Sequence, residues 1–239
     1  MSDEKKLKTL AIDTSSMSGS VALCYGDKIL SESLLNVRST HSERLLQQID
    51  QMLQVTGTAV ADLDLLAVVH GPGSFTGLRV GLATAKGLAV AADLPVMGIS
   101  SLEVLAMNLP FCAYPVCAFL DARKAEVYSC FYDCRTGFPV ALSEERVLSP
   151  LELLDGLDGE VSFVGDGVSL YRALIEEKLA ERAKLPPPSV HQARSSAVAA
   201  LAARRYMAGE HSTDAILTPC YIRPSDADLP RKIKDSDSK

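Results

Sequence analysis

None of the six cysteines (Cys24, Cys112, Cys117, Cys130, Cys134, Cys220) stands in a C-x-x-C pair, so the spacing that builds a zinc ribbon or a thioredoxin-type redox centre is missing. Most fall among apolar neighbours, where a reduced thiol packs as a small hydrophobe. No stretch long enough to cross a bilayer is free of charge: the most apolar region, 87–99, is interrupted by Asp93 and Pro95. The N-terminal MSDEKKLKTL has no apolar segment of the kind a secretion signal needs. The expectation is a cytoplasmic chain with reduced thiols and no membrane partner. Basic charge is also short. Lys and Arg number 24 against 30 Asp and Glu, a net charge of −6, and the pI is near 5.3. That balance argues against a protein that grips long nucleic acid alone, because such binding relies on many phosphate contacts from Lys and Arg. It leaves room for one subunit of an assembly that acts on RNA. The four histidines (His41, His70, His191, His211) show no H-x-x-x-H or H-E-x-x-H spacing, and no G-x-S-x-G elbow occurs.

What is present is a globular chain of 239 residues, 47% apolar and 23% charged, long enough for one large or two small domains. Strand-like segments at 7–15, 19–25 and 28–35 precede a helix over 42–55, opened by a Thr40/Glu43 capping box. A buried-strand run at 65–69, a Gly-rich turn at 70–73, a helix over 76–92 and a strand at 95–99 follow. Ser100 and Glu103 form a second capping box. The second half reads as strands at 116–121, 126–134 and 139–148, a helix start at 149–150, a strand at 161–164, a turn at 165–167 and a helix over 170–183. Three strands, helix, strand, helix thus occurs twice, and each first strand ends in an aspartate, Asp13 and Asp121. Such order suits an α/β protein of two subdomains with mixed sheets, as in the actin/Hsp70-like (ASKHA, ribonuclease H-like) superfamily. The expected division is 1–108 and 109–223, with a final helix at 195–208 that can pack back on the first subdomain. Residues 224–239 are expected to form a disordered tail.

Three segments could carry chemistry. At 11–16, Asp13, Ser15 and neighbouring hydroxyls at a strand end could hold a phosphate or hydrated Mg²⁺. They could equally satisfy their own turn. At 70–79, Gly71, Gly73 and Ser74 lie between a buried strand and a helix. They allow either close approach of an anion to the helix N-terminus or a sharp turn with tight helix–sheet packing. The spacing matches neither a P-loop nor G-x-G-x-x-G. The helix over 76–92 is apolar nearly all round, with Leu78, Leu82, Ala85, Ala89 and Ala92 on one face and Val80, Ala83, Gly87 and Val90 on another. Such a helix is buried on more than one side, against either a partner protein or the other subdomain. Asp121-Ala122-Arg123-Lys124 is either a charged site or a solvated hairpin.

The strings Asp13-Thr14-Ser15, Thr40-His41-Ser42-Glu43 and Gly71-Pro72-Gly73-Ser74-Phe75-Thr76-Gly77-Leu78-Arg79-Val80-Gly81 resemble the TsaB (YeaZ) family. Leu120-Asp121-Ala122-Arg123, Val164-Gly165-Asp166-Gly167 and Pro219-Cys220-Tyr221-Ile222-Arg223 are similar to that family's later landmarks. The resemblance implies the actin/Hsp70-like fold and an accessory role in forming N6-threonylcarbamoyladenosine at position 37 of tRNA. It implies TsaD and TsaE as partners, a homodimer when alone, and tRNA met only through the complex. TsaD-like sequences bind metal through a His-x-Glu-Gly-His segment; the matching stretch here is Ser101-Leu102-Glu103-Val104-Leu105, and leucine cannot ligate a metal. No catalytic residue, metal or obligatory cofactor is therefore expected, an adenine nucleotide with Mg²⁺ at the complex interface being the one candidate. The family's partner contact uses the first two helices, which implies Leu45, Ile49, Met52, Leu78, Leu82, Ala85 and Ala89. The competing readings are an ATPase of the same superfamily, using Asp13, Ser15 and the Gly71–Gly73 turn, and a metal-dependent glycoprotease.

Overall fold

The computed structural model describes residues 6–36, 41–210 and 218–222. The first sheet begins as an antiparallel meander of β1 (Lys8–Asp13), β2 (Ser18–Tyr25) and β3 (Lys28–Asn36). Helix α1 (His41–Thr56) leads to β4 (Leu65–Gly71), which lies parallel to β1. Helix α2 (Phe75–Ala92) then leads to β5 (Val96–Ser100), parallel to β4, and the short α3 (Ser101–Ala106) follows directly. The second sheet holds β6 (Val116–Asp121), β7 (Val127–Asp133), β8 (Val140–Ala141), β9 (Arg146–Leu148), β10 (Val161–Val164) and β11 (Ala183–Lys184). Its helices are α4 (Pro150–Asp155), α5 (Asp166–Leu170) and α6 (Arg172–Leu179), and α7 (Ser195–Met207) closes the regular structure. The strand orders are β3-β2-β1-β4-β5 and β8-β7-β6-β10-β11, with β9 also on β7. The second half thus repeats the first strand for strand. That is the actin/Hsp70-like arrangement.

Alternation along the central strands builds a five-layered body. Leu10 and Ile12 of β1, with Leu66 and Val68 of β4, point to one side, where Leu45, Ile49 and Met52 of α1 and Leu82 and Ala85 of α2 cover them. Ala11, Ala67 and Val69 point to the other side, into a core shared with α3, α7 and the near face of the second sheet (Val116, Ala118, Leu120, Tyr132). The far face of that sheet, with Phe119 and Phe163, is covered by Leu153, Leu154, Val168, Ile175 and Leu179 of α4 to α6. Both sheets therefore press on the same two helices. All six cysteines are free. Burial, aided by the charge of Glu32, pushes the Cys24 thiol up to about 11; burial, with Cys112 and Asp133 nearby, pushes Cys134 up to about 12.

Some boundaries differ from the sequence reading. The strand expected over 139–148 is split into β8 and β9, because the intervening loop turns Ser143 onto the Phe131 N–H (3.0 Å). The helix expected over 170–183 starts earlier and breaks at Tyr171; a 3-10 turn and β11 replace its end, where Ala180 adopts φ +48°. At α3, Ser100 does cap the helix, accepting from the Leu102 N–H (3.2 Å). The other half of that expected capping box is lost, because Glu103 reaches across to Arg205 of α7 with both oxygens (2.7 and 2.8 Å). The Thr40/Glu43 capping box and the tail over 224–239 lie outside the described residues. Among the described residues no helix is long and apolar enough to cross a membrane.

Candidate functional site

The Gly-rich segment joins the end of β4 to α2, and its glycines are occupied by the chain itself. Gly71 adopts φ +133°, and a Cβ there would stand 2.7 Å from the Cys220 carbonyl oxygen; Gly73 adopts φ +159°, and a Cβ would collide with the Ser15 backbone. Within α2, Gly77 and Gly81 likewise leave room for Thr14. Hydrogen bonds close these approaches. The Ser74 N–H donates to the Ser15 carbonyl (2.6 Å), the Thr14 hydroxyl to the Gly77 carbonyl (2.7 Å) and the Cys220 N–H to the His70 carbonyl (2.8 Å). Asp13 Oδ1 accepts from the Ser15 N–H (2.8 Å), a local Asx turn at the end of β1. Ser74 is exposed and caps α2, its Oγ accepting from Gly77 N–H (3.3 Å). The structure therefore brings Asp13, Ser15, Gly71, Gly73 and Ser74 together. It does so by knitting β1, the turn and residues 218–222 to one another.

Beside this knot a cleft of about 470 Å³ opens between the two sheets. One wall carries Ser15, Ser16, Met17 and the first turn of α2; the other is the β6–β7 hairpin with Tyr128 and Asp166. In the hairpin, Arg123, Lys124 and Ala125 adopt φ of +63°, +54° and +58°. Each left-handed non-glycine residue costs about 1 kcal/mol or more. The turn is held by Asp121, whose Oδ1 accepts from the Arg123 N–H (2.9 Å) and whose Oδ2 meets the Arg123 guanidinium (3.1 Å). Asp166 Oδ1 in turn accepts from the Asp121 N–H (2.9 Å). Burial raises the Asp166 carboxyl above its ordinary range, outweighing that hydrogen bond. A separate small space of about 10 Å³ lies among Ser15, Ser101, Asp166 and His191. His191 Nδ1 accepts from the Gly165 N–H (3.3 Å), and burial lowers its pKa, so its neutral form is favoured. At the mouth, Tyr221 stacks on Phe75 at 4.0 Å and 6°; Arg79 lies 4.5 Å over the Phe75 ring and donates from Nε to the Tyr221 hydroxyl (3.1 Å). Sequence reading gave no role to Phe75, Arg79 or Tyr221. Both strings containing them were visible, but nothing in the order of residues says that they touch.

The residues expected to line a partner surface are placed differently. Leu45, Ile49, Met52, Leu78, Leu82 and Ala85 are buried in the chain's own core, and Ala89 is half-buried. This corrects the face: the sheet takes the bulkier stripe of α2, because Leu78, Leu82 and Ala85 offer more apolar area against it. What α2 turns to solvent is Arg79, Ala83, Lys86, Gly87 and Val90, with Val80 half-buried. Val90 is 86% exposed, and α1 adds Leu46 at 58% and Val55 at 84%. At α3, Ser101 donates to the Pro72 carbonyl (2.5 Å), and Leu102 and Leu105 are core residues. Among the described residues no three His, Cys, Asp or Glu side chains stand together to hold a metal.

Comparison with known proteins places this architecture. The family model described as TsaD, tRNA N6-adenosine threonylcarbamoyltransferase, matches residues 28–230. The tRNA threonylcarbamoyladenosine biosynthesis protein TsaB of Bacillus subtilis is 32% identical over 222 residues, covering 92% of this chain and 95% of that protein. TsaB of Escherichia coli K12 is 36% identical over 177 residues, covering 72% of this chain and 76% of its own. The solved structure of YeaZ from Pseudomonas aeruginosa superposes with a TM-score of 0.78 at 29% identity, over 90% of this chain and 99% of that one. Matching sheets, the knotted glycine turn and near end-to-end similarity converge: the chain belongs to the TsaB (YeaZ) family.

Proposed function

We propose that this chain is a non-catalytic accessory subunit in the formation of N6-threonylcarbamoyladenosine at position 37 of tRNA. In this reading it docks TsaD through the outer faces of α1 and α2 and acts together with TsaE, tRNA being met through the complex. The observation that carries the docking surface is the solvent face of α2. Ala83, Gly87 and Val90 recur at helical spacing on it, with Lys86 the charged side chain among them, and Leu46 and Val55 extend the apolar surface on α1. An exposed apolar face of this kind marks a protein interface more often than a bare monomer surface. A non-catalytic role draws on the α3 positions that match the metal-binding segment of TsaD-like sequences. Ser101 is tied to Pro72, Glu103 to Arg205, and Leu102 and Leu105 to the core; these side chains already serve the fold.

Reconstitution tests the reading. TsaD with TsaE, tRNA and the threonylcarbamoyl adenylate should turn over only when this protein is added, and full activity without it would remove the accessory role. The docking face has its own check. Ala83→Arg places a charge on the exposed stripe and should weaken association with TsaD at least tenfold in analytical ultracentrifugation, while the monomer melts as the parent does. Leu82→Glu should instead unfold the monomer, because it buries an unpaired charge in the core.

A further inference from the structure

The solvent side of α2 carries charge as well as apolar surface. Arg79, Ala83, Lys86 and Val90 recur at i, i+4, i+7 and i+11, which places them in one line along the helix, and all four are exposed. The neighbouring stripe of α1 reads Arg44, Gln47, Gln51 and Val55, also exposed. Carboxylates are scarce here. Among the described side chains of the two helices there is one, Asp50, and it accepts from the Gln54 amide (2.7 Å); Asp93 follows at the C-cap of α2. Among the described residues no carboxylate pairs with Arg44, Arg79 or Lys86. The helices of the second half differ, because Arg172 pairs with Glu176 and Lys178 with Asp155. Arg79 is also held in place: its guanidinium lies 4.5 Å over the Phe75 ring, and its Nε donates to the Tyr221 hydroxyl. In a chain whose net charge is −6, this face therefore keeps three cations without a counter-charge.

We infer that this face takes a partner whose own helical surface carries carboxylates, and that Lys86 and Arg79 select such a partner over a second copy of this chain. The inference deepens the docking reading above and rests on it, the partner being TsaD. A symmetric pair would press the same patch on both copies. Lys86 lies near the middle of the stripe, so a two-fold axis there brings the two ammonium groups together, and like charges in contact oppose pairing. An antiparallel pair sets Asp93 near Arg79 at each end and leaves the central lysines unmatched. A face bearing Asp or Glu turns the same three cations into attractive contacts, speeds encounter and makes it dependent on salt. Arg79 suits this role, because a guanidinium already fixed on a ring gives up little further freedom on binding. Ala83 stands between the two cations, where a small side chain lets another helix come close, so bulk there is unwelcome whatever its charge.

Opposite responses to salt test this. For the full chain alone, sedimentation equilibrium should show weak self-association at about 50 mM NaCl that strengthens severalfold at about 500 mM, where screening reaches down to a few ångströms. Affinity for TsaD should move the other way, falling about tenfold over the same range. Lys86→Gln should strengthen self-association severalfold at low salt and weaken the TsaD complex severalfold. Lys86→Glu should weaken that complex further, and Lys86→Arg should behave like the parent in both arms. Lys86 is exposed, so thermal melts of the three variants should match the parent. Self-association that is strongest at low salt would overturn the inference. So would a chain that stays monomeric at every salt concentration in parent and Lys86→Gln alike. A TsaD complex indifferent to salt and to Lys86 leaves docking intact and removes the selection alone, whereas a TsaD that binds under no condition removes the docking reading and the selection with it.

Discussion

Gly77 and Gly87 lie on the same helix and face opposite constraints. A Cβ on Gly77 would run into the Thr14 carbonyl, whereas one on Gly87 would meet nothing within 4 Å. In an exposed helix interior, alanine is better than glycine by about 1 kcal/mol, so Gly87→Ala should raise the thermal melting temperature slightly. Gly77→Ala should lower it, by about 1–3 kcal/mol of stability, because overpacking against backbone has nowhere to relax. Equal melting of the two variants would refute the close-approach account of the glycine turn. The sequence alone left that turn open between anion binding and tight packing. The deciding atoms belong to Thr14, Ser15 and Cys220, which only the folded chain brings near.

At the scale of elements, α7 shows how the end of the chain is fastened to its beginning. The Glu32 carboxylate on β3 accepts from the Ser196 N–H at the start of α7 (2.9 Å) and pairs with the Arg194 guanidinium. A negative charge at a helix N-terminus is favourable in itself. Burial alone would raise the Glu32 pKa, but the hydrogen bonds from Arg194 and Ser196 outweigh it and leave the group below its ordinary value. A carboxyl with a lowered folded pKa adds stability above its unfolded pKa, and that contribution is lost as pH falls through the folded one. Glu32→Gln should therefore cost about 1 kcal/mol near neutrality. The gap from the parent should persist through the ordinary carboxylate range and narrow only as pH falls below it, in a series of denaturant titrations. Helix α2 was legible as an element with too much apolar surface for one neighbour. Which stripe faced inward was not, because both are apolar at the same period and only contact with β1 and β4 distinguishes them.

Across the whole molecule, the two halves are tied together around α3. Ser100, at the end of the first sheet, donates its hydroxyl to Glu145 from the loop between β8 and β9, and Ser101 donates to Pro72. Burial raises the Glu145 carboxyl, and the Ser100 hydrogen bond only partly offsets this. A carboxyl whose folded pKa is raised costs stability as pH climbs from below its ordinary range through the raised value. Glu145→Gln keeps an acceptor for Ser100 and sheds the buried charge. At pH 7 it should melt above the parent, and the two should converge toward about pH 4; a variant less stable at pH 7 would mean that the ionised form is the favoured one. The repeated strand order was readable from the succession of elements. The five-layered stacking was only partly so: the final helix was expected to be able to return to the first subdomain, but a core in which it and α3 are shared with the second sheet depends on contacts that the chain order does not indicate.

Period and punctuation were enough to read most of the elements and their order in two similar halves, and the family was legible in its motif strings, above all the one over 71–81. Those properties depend on neighbours along the chain, and turn and strand signals are local. Tertiary structure alone decided which face of α2 is free, what fills the space beside each glycine, and that Phe75, Arg79 and Tyr221 meet across a cleft from Arg123 and Lys124. These outcomes rest on contacts between segments far apart in sequence, where a side chain's role is set by what packs against it and not by its own type.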